Sequence, residues 1–343
     1  MMKETYHPIK DTTNKKIQCH GSSIIKIDNV FYWYGENKDD ITDNCLDPKS
    51  KCPYWHHGVK LYSSIDLINW NDEGYVIKES NDINNPFHPS NIMDRPHILY
   101  NSKTKQYVMW AKSGFKKDFG TCGYSISVGP SLKELKYLKM ANIKPHHAGD
   151  FDLFIYKNKG YIVYANPHTT MVVRELTDDF LDVNDTYSVH LRKPYPPYVR
   201  EAPCVFERNG KLLMLTSGTT GYYPNGTICY DITDLHGRWK YVNKPCFEDM
   251  RHISYNLQFS SVFKVNDDYY AIGDRWLVDF SDSAPDMNEV FKHIYSKGKE
   301  EGIAVTEDEL HAISKMDVSK GEMLFLKIDF DKNGRPIIKK PKE

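Results

Sequence analysis

A chain of 343 residues is long enough for two ordinary domains, although all-β barrels and propellers of this length also fold as one unit. Its 45 Lys and Arg against 46 Asp and Glu leave a net charge of −1, so no basic field exists to gather phosphates or an anionic membrane surface. Nucleic acid and membrane are therefore set aside as partners. Aromatic residues make up 13%, with 24 Tyr and 6 Trp, a share that suits sheet cores and also the flat apolar platforms on which sugar rings stack.

The opening residues, Met1 to Pro8, lack the apolar stretch of a secretion signal, and nothing downstream approaches the ~20 apolar residues of a membrane span. The chain as written is expected in the cytoplasm, and outside the cell if a leader has been removed. Seven Cys, an odd number without metal-ligand spacing, read as reduced thiols; Cys45 and Cys52 share one loop and are the pair able to bridge in an oxidising compartment.

In chain order, one pattern recurs: a short apolar strand, a polar turn of Asp, Asn, Lys or Gly, and a returning strand rich in aromatic or aliphatic residues. The copies run from Ile24 to Tyr34, His97 to Trp110, Leu153 to Ala165, Cys204 to Ser217 and Ser261 to Asp274. Their starts are 73, 56, 51 and 57 residues apart, which leaves room for four strands per repeat. Runs such as Val59–Ser64 and Gly123–Val128 supply outer strands. Glu322–Phe330 with Pro336–Ile338 reads as a last hairpin that completes the final blade or closes the ring. Residues 284–316 are instead charged and helix-like at Met287–Tyr295 and Glu307–Ile313, and carry too few apolar residues for a core of their own. The expected fold is all-β, a five-bladed propeller forming a single domain over residues 1–343 with a short helical insertion.

Counting back three residues from each hairpin start reaches Gly21, Asp94, Asp150, Glu201 and Gln258. In a propeller the inner strand ends converge on the axis, so these side chains, remote in sequence, are expected to meet in one pocket. Three are carboxylic, and a pair of carboxyl groups across a glycosidic bond is what glycoside cleavage requires: one protonates the leaving oxygen while an opposing group activates or positions water. Asp94-Arg95-Pro96 and Glu201-Ala202-Pro203 share a Pro that suits a strand edge. Asp152 reads as a turn or cap residue, and the adjacent pairs His56-His57 and His146-His147 as surface or loop histidines, because neighbours on an extended chain face opposite ways.

Several stretches together resemble glycoside hydrolase family 43, and most closely its exo-β-1,3-galactanase subfamily, subfamily 24. They are His20-Gly21-Ser22-Ser23-Ile24-Ile25, Tyr32-Trp33-Tyr34-Gly35-Glu36, Asp94 to Asn101, Asp150 to Phe154, Arg200-Glu201-Ala202-Pro203, Thr216 to Gly221, Asn256-Leu257-Gln258 and Gly273-Asp274-Arg275-Trp276. The resemblance implies a five-bladed propeller and an inverting mechanism, with no cofactor required and a central calcium ion as an option that no ligand cluster here demands. By position, Glu201 matches the general acid and Asp150 the carboxylate that orients it and raises its pKa. Most of the wider family carries a base Asp where Gly21 stands; the galactanase subfamily does not, and there a Gln acts on water through its imidic-acid tautomer. Gln258 matches that Gln. Asp94 matches a Glu that contacts the terminal galactose and is the alternative base.

Glu36, Arg95, Trp110, Tyr222, Asp274, Arg275 and Trp276 complete the expected substrate-binding set, with Trp55 a further stacking candidate. Ser22 and Ser23 replace family glycines and Tyr222 a usual Trp, so the pocket wall departs from the family pattern. The expected activity is an inverting, exo-acting glycosidase that releases terminal galactose from β-1,3-galactan or related galactosides, working as a monomer on an oligo- or polysaccharide. An arabinofuranosidase or xylosidase of the same family and a catalytically silent sugar-binding propeller are the alternatives.

Overall fold

The structure is a computed structural model that describes residues 9–43, 45, 50–118, 122–167, 169–278, 280, 286–299, 302, 306 and 316–340. Its strands form five antiparallel sheets of four, each built from consecutive strands. Blade one holds β1 (His20–Ile27), β2 (Val30–Glu36), β3 (Val59–Ser64) and β4 (Asn71–Ile77). Blade two holds β5 (Ile92–Asn101), β6 (Gln106–Gly114), β7 (Cys122–Gly129) and β8 (Lys136–Met140). Blade three follows with β9 (Phe151–Tyr156), β10 (Lys159–Asn166), β11 (Thr170–Leu176) and β12 (Val183–His190). Blade four holds β13 (Arg200–Arg208), β14 (Lys211–Gly218), β15 (Ile228–Asp231) and β16 (Lys240–Asn243). Blade five holds β17 (Gln258–Val265), β18 (Asp268–Arg275), β19 (Glu322–Phe330) and β20 (Pro336–Ile338), so the C-terminal hairpin completes the last blade. This is the five-bladed propeller expected from the repeat.

The local chemistry explains the hairpins. The inner strands of blades one, three, four and five turn back through two-residue loops, Asp28-Asn29, Lys157-Asn158, Asn209-Gly210 and Asn266-Asp267. Positive φ falls on Asp28, Lys157, Asn158, Asn209, Gly210 and Asn266, the conformation that Asn, Asp and Gly tolerate best and that matches strand twist. Between blades, apolar side chains pack seam by seam. The seam that closes the ring joins Trp33 and Trp70 of blade one to Phe263, Tyr270 and Phe325 of blade five, so closure rests on packing and not on a strand exchanged between the ends.

Four of the five inner strands are irregular where they reach the axis. The ladder shifts between His20 and Ser23, Asp94 and His97, Glu201 and Cys204, and Phe259 and Ser261. Such bulges re-aim the side chains beside them. Gly21, Arg95 and Ala202 share a left-handed backbone at φ 54, 49 and 49. This register corrects one expectation: His20, not Gly21, is the blade-one counterpart of Asp94 and Glu201, and Gly21 is the counterpart of Arg95 and Ala202.

In the insertion, helix α1 spans Met287–Lys299, with Phe291 and Ile294 buried. It lies on the loop that follows β14, where Asn225 Nδ2 donates to Asn288 Oδ1 at 2.6 Å and Tyr223 meets Phe291 edge-on. The expected second helical stretch, Glu307–Ile313, lies outside the described residues.

Candidate active site

At the axial ends of the inner strands, side chains from all five blades form one network. Blade two brings Asp94 and Arg95. The Asp94 carboxylate accepts a hydrogen bond from Trp55 Nε1 at 2.6 Å and faces Lys38 Nζ at 3.7 Å and Lys112 Nζ at 3.1 Å. Arg95 Nε meets Asp150 Oδ2 of blade three at 3.2 Å, while its Nη2 donates to Gln258 Oε1 of blade five at 2.9 Å. Lys112 also reaches Asp150 Oδ1 at 3.7 Å. Buried charges persist only when paired and hydrogen-bonded, and here Arg95 and Lys112 each span two blades.

The proton affinities follow from this arrangement. Burial, and after it the charge of Asp150, push the Glu201 carboxyl up to about 8, against the pull of Lys112, Arg95 and Arg200. Glu201 therefore holds its proton at neutral pH, the state a general acid needs. Burial alone would raise Asp94 as well, but Lys112, Lys38 and the Trp55 indole outweigh it and hold that carboxyl below its ordinary value. Two carboxyls in one pocket are thus driven apart, one neutral and one ionised.

Gln258 is fixed on three sides. Its Oε1 accepts from Arg95 Nη2 and, at 3.2 Å, from Trp276 Nε1; its Nε2 donates to Ser217 Oγ at 3.1 Å. Two N–H donors on Oε1 favour the amide form, since an imidic acid would carry a proton on that same oxygen. Trp276 stacks on His20 with ring centres 5.0 Å apart and takes the Tyr222 ring edge-on at 4.8 Å, which makes one wall of the pocket.

The family model for glycosyl hydrolases family 43 matches residues 16–267. The chain belongs to that family. No curated protein sequence matches it. Among solved structures, a family 43 β-1,3-galactosidase, BT3683 with galactodeoxynojirimycin, is similar at 20% identity and a TM-score of 0.78, over 99% of each chain. The β-1,3-galactosidase BT0265 is similar at 22% identity and a TM-score of 0.76; the match covers 98% of this chain, which spans only 62% of that one. An exo-β-1,3-galactanase from Phanerochaete chrysosporium with β-1,3-galactotriose is similar at 18% identity and a TM-score of 0.75, over 98% of this chain and 67% of the other.

In this family 43 chain Glu201, Asp150, Gln258, Asp94, Arg95, Glu36, Tyr222 and Trp276 all belong to or border the axial cluster. Three expected binding residues are engaged otherwise. Trp110 is fully buried in the seam between blades two and three, and its Nε1 donates to the Phe180 carbonyl at 2.9 Å, so no sugar can stack on it. Asp274 is also buried and spends its oxygens on His20 Nδ1 and the Gly21 N–H, both at 3.2 Å, which makes it a brace between blades five and one. Arg275 points the other way along β18, meeting Glu322 at 3.4 Å and lining a separate cleft with Asp249, Arg251 and Phe280.

Other expectations shift in detail. Asp152 is not a turn cap: it is buried, accepts from Val205 N–H of the next blade at 2.6 Å and faces His97 Nδ1 at 3.4 Å, and burial pushes it up to about 7. His56 is fully buried, not at the surface, with Nδ1 accepting from Gly58 N–H at 2.8 Å. Cys45 and Cys52 both carry free thiols. Among the described residues no group of three or more His, Cys, Asp or Glu converges as a metal site; Asp94 and Asp150 are matched instead by Lys38, Lys112 and Arg95, a poor fit to a calcium ion between them.

Lys38, Lys112 and Ser217 were not singled out by the sequence. A signal for two of them exists, because Glu36, Lys112, Ser217 and Asp274 sit opposite His20, Asp94, Glu201 and Gln258 on the second strand of their blades. The count that finds the first ring, continued to the return strand, finds a second.

Proposed function

We propose that the protein is an inverting exo-acting glycosidase that releases terminal galactose from β-1,3-linked galactosides. The observation that carries this reading is the pairing, in one axial pocket, of a Glu201 carboxyl held protonated near neutral pH with an ionised Asp94 and a Gln258 amide clamped from three sides. Glu201 gives its proton to the departing glycosidic oxygen as the C1–O bond breaks, and Asp150 beside it keeps that proton in place beforehand. Asp94 binds hydroxyls of the terminal sugar, with Trp55, Tyr222 and Trp276 as its apolar surroundings. Gln258 orients the water that attacks C1 from the opposite face; as the new C1–O bond forms that water passes its proton to neighbouring solvent, and solvent returns one to Glu201.

The galactose preference is supported by the resemblance of the axial residues to the galactanase subfamily and by similarity to proteins described as β-1,3-galactosidases and exo-β-1,3-galactanases. Proton NMR of the first sugar released from β-1,3-galactan oligosaccharides tests the reading directly. Inversion gives the α-anomer first. Release of the β-anomer, or calorimetric binding of galactose without any hydrolysis, overturns it. Glu201→Gln is expected to lower kcat by about 10³-fold while leaving sugar affinity largely intact.

A further inference from the structure

Lys112 sits on β6 opposite Asp94, with its side chain only 22% exposed. Its ammonium is 3.1 Å from Asp94 Oδ2 and 3.7 Å from Asp150 Oδ1, so it is shared between carboxylates of two different blades. The remaining oxygens are already engaged: Asp94 Oδ1 by the Trp55 indole and Lys38, and Asp150 Oδ2 by Arg95. Lys112 is thus the cation that stands between the two anions and touches both. Its side chain reaches the axis because the bulge at Arg95 brings Asp94 opposite it at the strand end.

We propose that Lys112 is a positioning residue for the glycosidase reaction, joining the sugar-binding carboxylate of Asp94 to the Asp150 carboxylate beside the acid, so that both are held in register next to Glu201. This rests on the roles given above to Asp94, Asp150 and Glu201. Chemically, a cation shared by two carboxylates offsets their mutual repulsion, and being close to Glu201 it also opposes the upward push that Asp150 gives the acid.

The charges around these groups come from every blade that packs there. Lys112 faces Asp94, Asp150 and the Cys122 thiol. Asp94 faces Lys112 and Lys38, with Glu36 behind them. Glu201 faces Asp150, Lys112, Arg95 and Arg200, and the Tyr295 hydroxyl on α1. Lys112 draws Glu201 down while Asp150 drives it up, so the ammonium limits how firmly the acid keeps its proton. Asp94 and Asp150 in turn hold the Lys112 ammonium protonated more firmly than an ordinary lysine, against the cost of its burial.

Lys112→Met is expected to move the alkaline limb of the kcat/KM profile up by about one pH unit, the size of effect that a removed neighbouring charge produces. Lys112→Arg keeps the charge and should restore the wild-type limb; a lysine acting only as a space-filler would leave the limb unmoved in both. A second readout needs no turnover: ¹³C NMR of side-chain carboxyls, with the Glu201 signal assigned by its loss in Glu201→Gln. There the Glu201 midpoint should rise in Lys112→Met by the same amount. Lys112→Gln, checked by thermal melting, replaces the methionine variant if that one does not fold. An unmoved Glu201 midpoint in a folded variant overturns the role of Lys112, whatever the enzyme hydrolyses. A moved midpoint in a protein that never releases galactose supports the link through Lys112 and overturns the galactosidase reading instead.

Discussion

The Glu36 carboxylate occupies the volume into which a side chain at Gly21 would grow. A Cβ built on Gly21 collides with Glu36 Oε1, and the Gly21 backbone stands at φ 54, where residues other than glycine are strained. Glu36 is held there by two partners: its Oε1 accepts from the Arg95 N–H at 2.8 Å, and Lys38 Nζ lies 2.8 Å from its Oε2. Blade one therefore supplies its axial carboxylate from the second strand, where most of family 43 would supply one from the first. Gly21→Asp, the substitution that would restore the wider family's pattern, is expected to lower unfolding free energy by about 2 kcal/mol or more, from left-handed strain and the collision together. The same change in a Glu36→Ala background should cost less, because only the backbone term remains. Urea denaturation of the four proteins of this cycle checks it; equal costs in both backgrounds would show that the two residues do not compete. No arabinofuranosidase activity is expected from the single variant.

Stability should fall as pH rises past neutrality. Burial drives Glu201 up to about 8 and both Glu36 and Asp152 up to about 7, so in each case the folded chain holds a proton that the unfolded chain releases near pH 4 to 4.5. The stability tied to a raised carboxyl is complete below its unfolded value and lost as pH climbs through the folded one. His56 and His97, pushed down to about 3 by burial, work in the opposite sense: their contribution is complete only above the ordinary histidine value of 6.5. Below that value the two sets oppose each other. Between about pH 6.5 and 8.5 the carboxyls set the slope. The urea midpoint is expected to decline across that window, and Glu201→Gln should remove the part of the decline nearest pH 8. A flat profile in the wild type would show that Glu201 ionises freely.

Most of the architecture was legible because each hairpin carries both of its physical signals. The apolar alternation fixes the strand, and residues such as Asn209-Gly210 or Asn266 fix the turn. The axial ring was legible too, since Asp94, Glu201 and Gln258 stand at one spacing from their hairpins. Blade one slipped by a single residue because pairing resumes after the bulge at Ser23, which does not read as part of an apolar run; the count began at Ile24 and landed on Gly21 in place of His20. Lys112 was passed over for a different reason. In Trp110-Ala111-Lys112-Ser113-Gly114 a lysine reads as a strand entering solvent, and only two carboxylates from remote stretches of chain make its burial affordable. The role of Trp110 was misjudged because an aromatic on a blade's second strand can face either the axis or the seam, and nothing local distinguishes them.

That misjudgement has its own test. Trp110 sits in the seam with Tyr124, Phe151 and Tyr164, so Trp110→Ala should cost about 3 to 5 kcal/mol of stability, the usual price of emptying a large aromatic site. Trp110→Phe retains most of the volume and loses the bond to the Phe180 carbonyl. In that variant KM for a galactoside is expected to match the wild type while the melting temperature falls. A KM that rises with no change in melting would return Trp110 to the sugar pocket.

Trp276 offers the sharpest probe of how Gln258 handles water. Its indole N–H and the Arg95 guanidinium both donate to Gln258 Oε1, which leaves the amide nitrogen, already bonded to Ser217, as the edge able to meet a water. Trp276→Phe keeps an aromatic ring against His20 and Tyr222 but removes one donor. If the amide works by holding the water in place, losing one neutral hydrogen bond of about 1 kcal/mol should lower kcat roughly five- to tenfold with little effect on KM. If catalysis instead required the imidic acid, the indole would oppose the proton on Oε1, and its removal would leave kcat unchanged or raise it. Measuring kcat and KM for Trp276→Phe on the same β-1,3-galactoside, alongside Gln258→Glu, therefore separates a water-orienting amide from a tautomeric base.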